Sequence, residues 1–375
     1  MKKTLFIIAL VTVLFGCVPE TKLQRGLSPV QSREQTESDK TGLVPVEEKA
    51  ASRFYPMPPE QPRLQLLISF TEDQLRTFKG GNKYFLQISR PHDIAAVKGK
   101  IYISDRTYKN IIIIDLDKKE LSQLLAEYES AGIWVTEDDY KYVADFKYKQ
   151  VIVFDNNNKF VRVYAYRDQF DKPVDVALYE HKVYVCDLDR HKIIVLDKDS
   201  GKTIQEIGGV GTEEGLFYKP THVIVDKEGS LYVNDFFNFR IQKFDRDGNF
   251  LKAFGYPGDT LGAFARPKGL SVDQEGHIYV VDAAFENVQI FDDETTDLLF
   301  FFGGYGLTPG SMYLPNGIYI DYENIEYFQE YVDENFELKY LVYVGNTLGP
   351  IKLNVYGFGE WVGPPLEEAG EIDEK

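Results

Sequence analysis

Short apolar runs recur along this chain in pairs, the second lying ten residues beyond the first. Five of six pairs are punctuated by Asp at both ends: Asp105/Asp115, Asp145/Asp155, Asp187/Asp197, Asp235/Asp245 and Asp282/Asp292, with Gly345/Val355 holding the sixth place. The clearest unit runs from Lys219-Pro220-Thr221-His222-Val223-Ile224-Val225-Asp226 through Leu231-Tyr232-Val233-Asn234-Asp235 and Arg240-Ile241-Gln242-Lys243-Phe244-Asp245 to Phe250-Leu251. Each run is rich in β-branched and aromatic residues and is bounded by Gly, Asp, Asn or Pro, which predicts four short strands closed by turns. Pro220 to Pro267 is 47 residues and Pro267 to Pro315 is 48. One such sheet cannot bury both of its faces, whereas a ring of them can, so the pattern predicts an all-β, six-bladed β-propeller.

The unit that begins at Pro315 runs out of sequence after its third strand, Ile351-Lys352-Leu353-Asn354-Val355. Ahead of the first unit, Arg63-Leu64-Gln65-Leu66-Leu67-Ile68-Ser69-Phe70 has strand character and no partner. It is expected to close the ring as the outer strand of the sixth blade, which removes exposed edges. The second unit has Ala131 where the others carry Pro. One departure is larger: Pro315 to Gly345 spans 30 residues, against 14 from Pro91 to Asp105. The surplus holds Tyr322, Tyr327, Phe328, Tyr331 and Phe336 among acidic residues. It reads as an acidic aromatic hairpin, either a contact surface or a cover for the bottom of the channel.

The ends and the charge add a compartment. Lys2 and Lys3, an uncharged apolar stretch from Thr4 to Phe15, and Gly16-Cys17 predict a signal peptide over 1–16, too short to span a bilayer. The small residue before the cysteine resembles the bacterial lipoprotein box, which implies lipidation of Cys17 and anchoring of the chain to the membrane. Val18, rather than Asp, implies the outer membrane of the cell envelope. Residues 17–61 read as a flexible tether, 62–359 as the propeller and 360–375 as an acidic disordered tail. The only other cysteine, Cys186, lies in an apolar strand and reads as a small buried hydrophobe. The formal charge is −17, and −19 once Lys2 and Lys3 are removed. A body so acidic repels phosphates, so no nucleic acid partner is expected.

The connections between units repeat glycines before an aromatic or Met and a Pro: Gly208-Gly209, Gly211, Gly215, Phe217, Pro220; Gly255, Gly258, Gly262, Phe264, Pro267; Gly303-Gly304, Gly306, Gly310, Met312, Pro315. With Tyr232-Val233-Asn234-Asp235 and the Arg240 to Asp245 strand, this spacing resembles the NHL-repeat family of six-bladed propellers over residues 89 to 357. The resemblance implies that first strands line a central channel, and that the loops opening them share one face, the top, with the loops between second and third strands.

On that face the opening loops place Arg90, Lys172, Lys219, Arg266 and Lys268. The second set of loops adds Tyr108, Tyr148, Phe237 and Arg240, with Arg106, Phe146, His191 and Phe236 among their neighbours. The opposite face collects Glu137, Asp138, Asp139, Asp197, Asp245 and Asp292. A basic, aromatic top on an acidic body suits a protein, peptide or glycan ligand bound without catalysis, and the same residues also suit a solvated scaffold. The alternative is a metal-dependent lyase or lactonase-type hydrolase. Peptidylglycine amidating lyases are similar to this fold and carry metal-binding histidines just after the blade-opening Pro. Here His92 alone matches, with His222 one place further on, so no three-histidine ring can form. His92, Asp93, Asp175 and His222 remain candidates for a mixed nitrogen and oxygen site at the channel mouth, or for water-filled channel lining. No catalytic residues and no cofactor are singled out. Asp245-Arg246-Asp247-Gly248 and Asp197-Lys198-Asp199-Ser200-Gly201 lack the closing Glu of a calcium loop and read as hairpin turns.

Overall fold

The unit that reads most clearly folds as four antiparallel strands, Pro220–Val225, Leu231–Asp235, Arg240–Phe244 and Phe250–Phe254. Alternate side chains leave it in opposite directions. Leu231, Val233 and Phe244 pack towards the preceding blade, and Tyr232 and Ile241 towards the following one. The computed structural model describes residues 54–81, 86–124, 129–165 and 168–366. Within them six such sheets form a six-bladed β-propeller, whose first strands are Pro91–Val97, Ser130–Val135, Pro173–Tyr179, Pro220–Val225, Pro267–Val272 and Pro315–Asp321. Apolar packing is divided among wedges, each lying between two adjacent blades. Cys186 is fully buried in one of them. Residues 1–53, which hold the stretch read as a signal peptide (1–16), Cys17 and most of the stretch read as a tether (17–61), lie outside the described residues, as do residues 367–375.

The two punctuating aspartates do different work. The first is buried and fastens the top loops: Asp105 accepts from the backbone amides of Ser89 and Arg90 at 2.7 Å, and from those of Thr107 and Tyr108 at 2.8 and 3.0 Å. Asp187, Asp235 and Asp282 likewise accept from their opening loops. The second caps an exposed bottom turn, as Asp245 does by accepting from the amides of Asp247 and Asn249. The two calcium-like segments are these turns. Lysines and tyrosines of neighbouring blades meet on bottom-face acids: Lys100, Lys141 and Tyr102 on Asp139, and Lys243 on Asp293.

Register corrects two expectations. The residue paired with Pro315 is Asn346, not Gly345, and it is Asn346 Oδ1 that accepts from the Tyr313 amide. In the second blade the residue facing Asp145 is Ser130, so Ser130 rather than Ala131 stands where the other blades have Pro. The long segment after Asp321 is not a plain hairpin. It forms two 3-10 turns, Ile325–Tyr327 and Gln329–Tyr331, before an extended strand, Phe336–Asn346. Asn324 exchanges hydrogen bonds with the Gly99 amide and the Val97 carbonyl, Tyr327 donates to Asp117, and Phe328 is buried. Its aromatic residues therefore strap blade six to the bottom turns of blade one.

The stretch before the first unit forms the strand Leu64–Thr71 and pairs antiparallel with Ile351–Trp361, closing the sixth blade. Phe54–Tyr55 adds a fifth strand outside it, so ordered structure lies within the 17–61 stretch expected to be a tether, and the strand Ile351–Trp361 likewise runs past the expected start of the tail at 360, because both ends are drawn into the sixth blade.

Candidate functional site

In every blade the register of the first strand breaks just after its opening residue: between Pro91 and Asp93, Ser130 and Ile133, Pro173 and Asp175, Pro220 and His222, Pro267 and Leu270, and Pro315 and Ile318. A bulge re-aims the side chains beside it. Repeated round the ring, it brings His92, Ala131, Val174, Thr221, Lys268 and Asn316 to one level, where they line a cavity of about 150 Å³ at the channel mouth with Arg106, Phe146 and Lys172. Arg106 and Lys172 both lie 5.8 Å from the Phe146 ring centre, and Lys268 Nζ lies 4.3 Å from that of Phe236. Among the described residues no carboxylate lies within ion-pair distance of these three cations. Burial, then Arg266 and Arg106, push the Lys268 ammonium down to about 8. His92 Nδ1 is buried without a hydrogen-bond partner. Burial first, then Arg106 and Lys268, hold that imidazole down to about 3, so it is neutral.

One step deeper, the next residues of the six blades are Asp93, Gly132, Asp175, His222, Gly269 and Gly317. The glycines leave room for their neighbours: a Cβ on Gly132 would fall 1.9 Å from Asp175 Oδ1, and one on Gly317 2.8 Å from Asp93 Cα. Asp93 accepts from the amides of Ile94 and Ile133, and Asp175 from that of Val223, so each carboxyl bridges to a neighbouring blade. Desolvation drives both acids up, to about 7 for Asp93 and about 8 for Asp175. His222 Nδ1 stands 3.1 Å from Asp175 Oδ2, and burial lowers its pKa against the pull of Asp93. These groups edge a second cavity of about 170 Å³, whose remaining walls include Ile94, Val176, Leu270 and Ile318.

The four candidates for a mixed metal site do converge, but they do not fit a resident ion. Both oxygens of Asp93 and one of Asp175 are taken up by main-chain amides, burial favours the protonated acids, and among the described residues no three His, Cys, Asp or Glu are arranged to hold a metal.

The predicted binding residues separate into groups. Lys172, Lys268, His92 and His222 meet at the mouth. Arg90 is exposed beside it, along a groove of about 440 Å³ shared with Arg106, Lys109, Glu129, Phe146 and Thr347. Arg266 is exposed, and its amide is bound by Asp282. Lys219 is paired with Asp189 at 2.6 Å, and Arg240 with Asp235 at 2.9 Å while it also donates to two carbonyls. Tyr108 is half-buried and donates to Gln87, whereas Tyr148 and Phe237 are exposed. Tyr218 was not among the expected residues. It lies between Phe237 and His191, and the only local signal was an aromatic residue next to Lys219 in a blade-opening loop.

No protein-family model matches the chain. Among solved structures, a protein of unknown function from Bacteroides thetaiotaomicron superposes with a TM-score of 0.55 at 17% identity, over 72% of this chain and 70% of that one. A gluconolactonase from Xanthomonas campestris gives 0.55 at 14% identity, over 84% of this chain and 95% of that one. A streptogramin B lyase gives 0.50 at 13%, over 83% and 100%. At such identities the likeness establishes the fold alone.

Proposed function

We propose that this propeller is a binding module that takes an anionic group into the mouth of its central channel, with the rest of the ligand on the top face. One observation carries the reading: Arg106, Lys172 and Lys268 converge on a single cavity without a carboxylate of their own. Cations held together and partly desolvated repel one another, and a ligand carboxylate or phosphate supplies the missing counter-charge through charge-assisted hydrogen bonds. His92, being neutral, lines the mouth without adding to the repulsion. Titration calorimetry with galacturonate, gluconate and inorganic phosphate tests this. Lys268→Ala or Arg106→Ala is expected to weaken binding about tenfold or more, the scale of one charged hydrogen bond. Affinity should also fall above pH 8, as Lys268 loses its proton. Variants that bind as tightly as the parent chain would refute the site.

A catalytic reading of the same mouth, as a lactonase-type hydrolase or lyase, is favoured by one specific observation, the close approach of His222 to Asp175 on the wall below the anion site. Assay of the purified chain for hydrolysis of an aldonolactone such as gluconolactone, with His222→Ala and Asp175→Asn, separates the two. Turnover that both variants lose would favour catalysis, and no turnover by the parent chain would leave the binding reading.

A further inference from the structure

Resting on that reading, we propose that the ligand is an acidic oligosaccharide, a uronate-bearing chain laid along an aromatic track that runs from the rim of the top face into the mouth. The track is continuous. His191 and Tyr218 stack with ring centres 5.4 Å apart and planes 11° apart, Tyr218 meets Phe237 at 5.5 Å, Phe237 meets Phe236 at 4.8 Å, and Lys268 covers Phe236 at the cavity wall. Tyr218 is 45% exposed and Phe237 50%.

The rings are held in place rather than left loose. The Lys219 amide donates to His191 Nδ1 at 3.1 Å, the Phe237 amide donates to the Tyr218 carbonyl at 3.1 Å, and the Lys219–Asp189 pair flanks the stack. Ordered aromatic rings kept in water lose hydrophobic stabilisation, and such a surface marks an interaction site. Its neighbours identify the ligand chemistry. A sugar ring offers a flat C–H face to an aromatic ring and hydroxyls at its edge to the flanking ion pair. A carboxylate on the same chain then reaches the unpaired cations of the mouth. A peptide of acidic residues supplies the charge without the flat faces, and a neutral glycan supplies the faces without the charge.

Calorimetry on the purified chain with galacturonate, tetragalacturonate, cellotetraose and a Glu-rich peptide tests the proposal. Tetragalacturonate should bind about tenfold more tightly than the monomer, equivalent to one aromatic contact. Tyr218→Ala with Phe237→Ala should remove that gain and leave monomer binding unchanged, while Tyr218→Trp with Phe237→Trp should keep it. Lys268→Ala should weaken monomer and tetramer alike. Equal binding of monomer and tetramer, with the double alanine variant silent, overturns the track and leaves the anion site standing. If neither galacturonate nor inorganic phosphate binds, both readings fall. A Glu-rich peptide that binds more tightly than tetragalacturonate and ignores the double alanine variant overturns the saccharide.

Discussion

Asp93 and Asp175 are buried beside His222 in the channel wall, His92 is buried one level above at the mouth, and burial works against the charged form of each. Asp93 and Asp175 are raised by desolvation, so the folded chain holds their protons where the unfolded chain releases them. That stabilisation is complete below about pH 4 and is lost as pH rises through 7 and 8. His92 has the opposite sign: its folded pKa is depressed, so the unfolded chain binds the proton and stability falls as pH drops below about 6.5. Between pH 4 and 6.5 the two trends oppose each other; above 6.5 the acids titrate together with His277, whose pKa the Asp273 hydrogen bond raises, and from about pH 8 Lys268, held below its ordinary value, works against them. Urea unfolding from pH 6.5 to 8.5 should therefore show a decline of up to about 1.4 kcal/mol per pH unit for each proton held. Asp93→Asn with Asp175→Asn should make this limb shallower, leaving the His277 contribution, since an amide carbonyl still accepts from Ile133 and Val223. A pH profile unchanged in the double variant would show that the acids are ionised in the folded chain.

At the scale of the blade, the ten-residue register was legible because it records a structural requirement. Where two top loops turn back within one blade, several amides point inward together, and one short carboxylate at the strand end satisfies them. Asp105 accepts four, and unsatisfied buried donors cost about 1–3 kcal/mol each. Asp105→Ala is accordingly expected to cost at least 3 kcal/mol, roughly the penalty for two lost amides, in chemical denaturation. Asp245→Ala, on an exposed turn whose amides can turn to water, should cost about 1 kcal/mol or less. Equal losses would deny the two aspartates different roles. The sixth place was misread because the strap before it hides the register, and because Asn346 performs the aspartate's task with one oxygen. The site was legible only in part. Lys219 and Arg240 looked as free as Lys172 and Lys268, since the decisive partner of Lys219, Asp189, lies 30 positions away in a neighbouring blade. The bulge that gathers His92, Lys268 and their ring-mates follows the blade-opening residue and holds Gly132, Gly269 or Gly317 in three blades but Asp93, Asp175 or His222 in the others, so no single local motif marks it. Tyr218 resembles any aromatic in a blade-opening loop until the fold sets His191 and Phe237 against it.

The ring as a whole depends on one non-local pairing, between the strand Leu64–Thr71 and the end of the chain. Leu64, Leu66, Leu67, Ile68 and Phe70 are all at most 4% exposed, and they fill the wedges on both sides of blade six. Ser69 donates to Asn354 at 2.5 Å and accepts from the Gly310 amide at 2.9 Å, which ties the closing strand to the connection from blade five. Gly310 sits at φ +82°, and a Cβ there would come within 2.8 Å of Leu66, so the glycine of that connection also makes room for the closure. Outside it, Phe54 packs edge-on to Trp361 at 5.1 Å. A chain that starts at residue 72 would expose the whole edge of Ile351–Trp361 and open two of the wedges, and each apolar side chain returned to water forfeits about 1.5–3 kcal/mol. Such a chain should lose its cooperative thermal transition and associate through the bare edge. A synthetic peptide spanning residues 62–71 should restore a monomer, because the missing strand can pair in trans with the edge it normally covers. Light scattering and calorimetry with and without the peptide decide the matter. If the shortened chain stays monomeric and melts where the full chain does, the closing strand is an ornament of the sixth blade and the remaining strands hold the ring unaided.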